Sequence, residues 1–87
     1  MSEADFQRQV TELAELLGWV WAHFRPARTA HGWRTPVSGP IGAGFPDLVL
    51  ARERDRRLLF AELKADDGRV TPAEQRVLDT LRAVGAD

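Results

Sequence analysis

Two apolar segments separated by a short charged one constrain this chain more than any other feature. Residues 47–51 read Asp-Leu-Val-Leu-Ala and residues 57–64 read Arg-Leu-Leu-Phe-Ala-Glu-Leu-Lys, with Arg-Glu-Arg-Asp-Arg at 52–56 between them. Each apolar run has the length of a strand, and the charged pentapeptide has the character of a turn. The spacing therefore predicts a β-hairpin centred near Glu53–Arg54. A hairpin of this size needs covering layers, and the flanking sequence supplies them.

Ahead of the hairpin, Phe6, Val10, Leu13, Ala14 and Leu17 recur at helical spacing, with a Ser2…Asp5 start and Gly18 as a stop. This predicts an amphipathic helix over 3–17. The aromatic, β-branched run Trp19–Phe24 predicts a strand. After the hairpin, Thr71-Pro72-Ala73-Glu74 is a helix start with Thr as N-cap, Pro at N1 and Glu at N3. Val77, Leu78, Leu81 and Val84 form its apolar stripe and Gly85 ends it. The 87 residues suit one domain, 1–87, of class α/β: a small mixed β-sheet flanked by two helices.

Residues 25–46 hold four of the five prolines together with Gly32, Gly39, Gly42 and Gly44. They read as one long loop with a short strand near Trp33–Val37, and a loop this long in a small domain is usually functional. The net charge is −1, yet no Asp or Glu occurs from Leu16 to Pro46, where Arg25, Arg28 and Arg34 lie among His23 and His31. Such asymmetry points to a local patch for an anionic partner, and Arg25, Arg28, His31 and Arg34 are candidates to hold backbone phosphates. The bland reading of these residues is a solvated loop.

The absence of cysteine excludes disulfides and thiolate zinc sites, so any metal must use oxygen or imidazole ligands. His23 and His31 lack a third zinc ligand at suitable spacing. No apolar run approaches the roughly 20 residues of a membrane span, and the polar, acidic start is unlike a signal peptide. A cytoplasmic location is expected.

Glu62 and Lys64 are two apart in a strand and so share a sheet face, while Leu59, Ala61 and Leu63 point the other way. With the hairpin centred as above, Asp47 falls opposite residue 61 or 62, within reach of Glu62. Two carboxylates converging at a strand end make a hard oxygen site suited to Mg²⁺ or Mn²⁺. A lysine beside them can stabilise charge developing on a phosphate or orient an attacking water. Taken alone, Glu62-x-Lys64 also reads as a charge pair on a solvated face. It gains force from Gly44-Phe45-Pro46-Asp47, whose Asp lies fifteen residues before Glu62. Trp19 and Trp21 suit core packing in a strand, whereas Trp33 suits packing and base stacking equally.

Gly44-Phe45-Pro46-Asp47-Leu48-Val49-Leu50, Phe60-Ala61-Glu62-Leu63-Lys64, Thr71-Pro72-Ala73-Glu74-Gln75 and Leu81 through Gly85 together resemble the VRR-NUC domain of the PD-(D/E)XK nuclease superfamily. Glu3 through Trp19 resembles that family's first helix and the start of its first strand. The resemblance implies a restriction-endonuclease-like core and Mg²⁺- or Mn²⁺-dependent hydrolysis of phosphodiester bonds in DNA, often branched or junction DNA. It also implies a homodimer, as in compact phage and bacterial members. By this resemblance Asp47, Glu62, the main-chain carbonyl of Leu63 and Glu3 would hold metal, with Glu12 as the alternative to Glu3. Lys64 would be the catalytic lysine, and Gln75 would face the site from the second helix. Read without the family, Glu3 is an acid favoured in a first helical turn and Gln75 a solvent-facing residue. Family members commonly continue into a further strand, which this chain is expected to lack. No element reads as dedicated to bases, so the expected cleavage is structure-directed. The rival reading is a DNA-binding or assembly module that keeps the nuclease fold with little cleavage.

Overall fold

The computed structural model describes residues 2–24, 27–30, 32–34, 37–64 and 68–86. Helix α1 spans Glu3–Leu16, and strand β1 spans Val20–His23. Strands β2 (Ala27–Thr29) and β3 (Gly32–Arg34) follow, then β4 (Leu48–Arg52), β5 (Arg57–Ala61) and helix α2 (Pro72–Ala83). The α/β class, the two helices and the central hairpin are as the sequence indicates.

Both helices are defined by their caps. The Ser2 hydroxyl accepts the Asp5 N–H at 3.1 Å, and Glu3 and Asp5 complement the dipole at that end. At the other end Gly18 (φ +88°) turns the chain out. The Gly18 N–H reaches the Glu15 carbonyl at 3.1 Å and the Trp19 N–H the Ala14 carbonyl at 2.9 Å. These two bonds form a Schellman closure, and α2 ends the same way, with Gly85 bonding Arg82 and Ala86 bonding Leu81. The start of α2 is a complete capping box between Thr71 and Glu74.

The main sheet has the order β1-β4-β5. Val20 pairs with Ala51 and His23 with Leu48, while Leu48 pairs with Ala61 and Arg52 with Arg57. Every pairing among the described residues is antiparallel, so the sheet they form has no parallel component of the mixed kind expected. The charged pentapeptide closes the hairpin through a single 3₁₀ turn at Glu53–Asp55, with Arg56 left-handed at φ 55°. Arg52 forks onto both Asp55 oxygens at 3.0 and 2.8 Å. Arg52 and Arg54 each donate to the Leu17 carbonyl at 3.1 Å, and Arg52 lies 4.4 Å over the Trp19 ring. The turn thus satisfies an orphan carbonyl at the end of α1 and ties the hairpin to that helix.

The stretch expected to be one long loop contains a second, two-stranded sheet, with Ala27 opposite Arg34 and Thr29 opposite Gly32. The expected short strand near Trp33–Val37 starts earlier, at Gly32, and has a partner. Neither Ala-Arg-Thr nor Gly-Trp-Arg alternates in hydrophobicity, so no period-2 signal marks these strands.

On one sheet face Leu48, Leu50, Leu63 and Ala14 of α1 are buried, ringed by Phe6, Val10, Trp19, Leu59 and Ala61. The opposite face carries Phe60, which meets Phe45 edge-to-face at 5.9 Å, and Phe45 meets Phe24 at 6.0 Å. Strand alternation accounts for both layers. Trp19 packs against the core as expected. Trp21 instead sits at the surface, its indole N–H donating to Glu15 at 2.9 Å. Among the described residues no helix is long and apolar enough to cross a membrane.

Candidate active site

The open end of the β4–β5 hairpin is where the acidic residues gather. Strand β5 ends at Ala61, and its pairing with Leu48 carries Asp47 opposite Glu62. Asp47 is gripped from both sides. Its main-chain carbonyl accepts the Phe24 N–H at 2.8 Å, which extends the β1–β4 ladder by one residue. Its carboxylate Oδ1 accepts the Leu63 N–H at 3.3 Å. The preceding Pro46 is fully buried.

Gly44 brings this segment against α2. A Cβ on Gly44 would lie 2.6 Å from the Ala73 carbonyl carbon and 2.8 Å from the Glu74 nitrogen, and its φ is +92°. Only glycine allows this approach. The first turn of α2 therefore sits directly beside the Phe45-Pro46-Asp47 segment.

A cavity of about 520 Å³ lies here, lined by Glu3, His23, Asp47, Glu62, Lys64 and Glu74 among others. The Glu62 side chain is 8 % exposed and that of Lys64 25 %. Lys64 Nζ lies 3.6 Å from Glu62 Oε1 and donates to Glu74 Oε2 at 3.0 Å. Glu62 Oε2 is buried with no hydrogen-bond donor.

Crowded carboxylates in a half-dry site compete for charge, so some are pushed toward the protonated form while a partner that gains donors stays ionised. Burial, then contact with the Glu74 carboxyl, then the charge of Asp47, push the Glu62 carboxyl up to about 8. Asp47 is also raised, chiefly by burial; the Leu63 N–H and His23 oppose this, and Glu3 adds to it. Burial disfavours the charge on Lys64, but its bond to Glu74 and the charges of Glu74 and Glu62 outweigh burial and raise it. Glu74 is likewise penalised by burial, yet the Thr71 N–H, Glu62 and Lys64 hold its carboxyl well below the usual range.

Asp47, Glu62, Lys64 and Glu3 are brought together. Glu12 lines an adjoining groove of about 610 Å³ that shares Glu3, His23 and Asp47, but it is not among the residues lining the cavity itself. Gln75 is the residue the structure moves out of the site. It is exposed, and its amide donates to Asp79 at 2.9 Å. One residue of helix is a rotation of about 100°, and the cap on Thr71 sets the phase so that Glu74, not Gln75, faces Lys64. Arg28 lies in β2 and Arg34 in β3; Arg25 and His31 fall outside the described residues.

Sequence reasoning missed two residues. His23, weighed only as a zinc ligand, has Nε2 4.0 Å from Asp47 Oδ2 and a buried Nδ1 without a partner. Antiparallel pairing of β1 with β4 was the signal that could have found it. Glu74, read only as a cap, was marked by its place one helical turn into a motif that follows Lys64. Among the described residues no group of three or more Asp, Glu or His side chains is close enough to hold a metal ion unaided.

Searches among curated proteins and among solved structures give no match. The sequence model of the VRR-NUC domain does match, over residues 27–87. That span takes in both carboxylates of the hairpin, the lysine and all of α2, and implies a nuclease acting on DNA. A match over more than half of the sequence, with Asp47 set against Glu62-x-Lys64 at one hairpin end, means that this chain belongs to the VRR-NUC domain family of the PD-(D/E)XK nuclease superfamily.

Proposed function

We propose that this nuclease domain is a divalent-metal-dependent DNA endonuclease that hydrolyses phosphodiester bonds and selects DNA by shape, branched or junction DNA above all. The observation that carries the proposal is the convergence of Asp47, Glu62 and Lys64 at the open end of the hairpin, with Glu3 lining the same cavity. The donor chemistry fits a hard cation. The carboxylates are oxygen donors, and the buried, donorless Glu62 Oε2 is an atom a cation would satisfy. Mg²⁺ commonly takes only one or two carboxylates and completes its shell with water and substrate phosphate, which suits a site with no three-residue cage.

In this reading Asp47 and Glu62, with the Leu63 carbonyl, would hold the ion directly, and Glu3 would reach it through one of its waters. When bound, Mg²⁺ or Mn²⁺ supplies Lewis acidity at the phosphate and a more acidic water. Lys64 stabilises the charge that grows on the phosphate oxygens as water adds to phosphorus. One P–O ester bond breaks, and the leaving oxygen takes up a proton. Arg28 and Arg34 on the β2–β3 hairpin, with Arg25 and His31, would hold the DNA backbone and carry no base information. We also expect a homodimer, as the family resemblance implies. Strand β1 is an outer strand with Val20 70 % exposed, and Leu16 at the end of α1 is 81 % exposed; a second copy would cover such an edge. A sedimentation mass near one chain refutes this part.

The test is cleavage of labelled four-way junctions, flaps, linear duplex and RNA with Mg²⁺, with Mn²⁺ and with chelator. Metal-dependent cuts in branched DNA, lost in Asp47→Ala and Lys64→Ala, support the proposal. Tight binding without cleavage under either metal would sink it in favour of a DNA-binding module.

A further inference from the structure

We propose that Glu74 is a positioning residue that holds the Lys64 ammonium in place from the first turn of α2, using one carboxylate for both the helix cap and the lysine. The inference rests on the nuclease reading of the site. It starts from how this carboxylate is used. Glu74 Oε1 accepts the Thr71 N–H at 2.8 Å, and the Thr71 hydroxyl accepts the Glu74 N–H at 3.2 Å. The remaining oxygen, Oε2, accepts from Lys64 Nζ at 3.0 Å. The cap thus fixes the orientation of the group that receives the lysine.

A lysine ends a flexible four-carbon stem and is not positioned by its own strand. Free surface pairs hold such a stem weakly, but here the acceptor is immobilised by its own helix and 14 % exposed. Glu62 is the poorer anchor. Its Oε1 lies at 3.6 Å, beyond hydrogen-bond length, and its carboxylate is the one proposed to engage the cation. Glu74 can keep Lys64 seated while Glu62 turns to the cation. The tight fit of Gly44 on Ala73 and Glu74 fixes where that helical turn sits.

Glu74→Gln separates the two roles, because glutamine also closes a capping box but offers no negative charge to Lys64. Gly85→Ala is the control. It strains the other end of α2, at φ +95° with nothing nearby, and leaves the cap and Lys64 untouched. The first readout needs no activity. In metal-free protein, NMR should show a slowly exchanging Lys64 NH₃⁺ signal in wild type and Gly85→Ala, and none in Glu74→Gln. The second is kinetic: kcat falls roughly 10- to 100-fold in Glu74→Gln with KM for DNA within about two-fold, while Gly85→Ala keeps wild-type kcat below its melting temperature. Mg²⁺ affinity by calorimetry should not weaken in either. Glu74→Asp, one methylene short of Lys64, should repeat the loss if the glutamine variant folds poorly.

A protected Lys64 signal that survives in both Glu74 variants overturns the inference, as does an equal kcat loss in Gly85→Ala. Weakened Mg²⁺ binding in Glu74→Gln overturns it too, by making Glu74 a ligand. A wild-type chain that cleaves nothing refutes the nuclease reading instead, and the NMR arm still decides the role of Glu74.

Discussion

Replacing Glu62 with glutamine should stabilise the metal-free protein at mildly alkaline pH and flatten its pH dependence. The side chain is 8 % exposed, one of its oxygens is buried without a donor, and it faces the carboxylates of Asp47 and Glu74. Burial first, then Glu74, then Asp47, push its carboxyl from 4.5 up to about 8. The unfolded chain frees Glu62 to ionise at its ordinary value. The folded state therefore holds this proton more tightly, so the stability it contributes is fully present below about pH 4.5 and is lost as pH rises through about 8. Glu74 runs in the opposite sense: its lowered carboxyl contributes stability above the ordinary carboxylate range that acid removes. Together they place maximal stability at mildly acidic pH. At about 1.4 kcal/mol per pKa unit, the Glu62 contribution is worth up to about 5 kcal/mol. In a domain of this size that is a fall in Tm of roughly 20–40 °C. Circular-dichroism melts in chelator, from about pH 5 to about pH 8.5, measure it. Wild type should lose Tm steadily over that range, whereas Glu62→Gln should stay level and melt higher at the alkaline end. A level wild-type profile, or two parallel slopes, would refute the reasoning. Added Mg²⁺ should restore wild-type Tm at the alkaline end, because a cation requires the ionised carboxylate.

Other outcomes follow from named side chains. Leu48 is 0 % exposed at the centre of the sheet, so Leu48→Ala should lower stability by about 2–5 kcal/mol, read as a shifted urea midpoint with an unchanged slope. Lys64→Ala should cut kcat roughly 10²- to 10³-fold, whereas Gln75→Ala, whose amide bonds Asp79 outside the cavity, should stay within about two-fold; a kcat loss in Gln75→Ala comparable to that of Lys64→Ala would return Gln75 to the site. Arg28→Ala with Arg34→Ala should weaken DNA binding about equally across sequences, and reduce the salt slope by about one for each phosphate no longer neutralised. An unchanged slope in salt titrations would remove both arginines from the interface.

The parts of this site that were legible in the sequence are those governed by local rules. The hairpin carries its register in the length of its turn, so spacing alone sets Asp47 against Glu62. The two Schellman closures and the Thr71 cap are each written within a few consecutive residues. What stayed hidden depends on how separate elements meet. The β2–β3 hairpin is too short and too polar to show a period. His23 reaches Asp47 only because β1, separated from β4 by more than twenty residues, pairs with it antiparallel. Glu74 shows the limit most clearly, because the family resemblance pointed to its neighbour Gln75. The choice between them is the rotation of α2 about its axis, set by the Thr71 cap together with Gly44 letting the backbone of Ala73 and Glu74 come close. A glycine four residues from a strand start carries no such instruction on its face. The geometry makes Gly44 part of the site although it has no side chain to offer. Any larger residue there would push away the helical turn that holds Lys64, and would uncouple the lysine from the two carboxylates while leaving all three in the sequence.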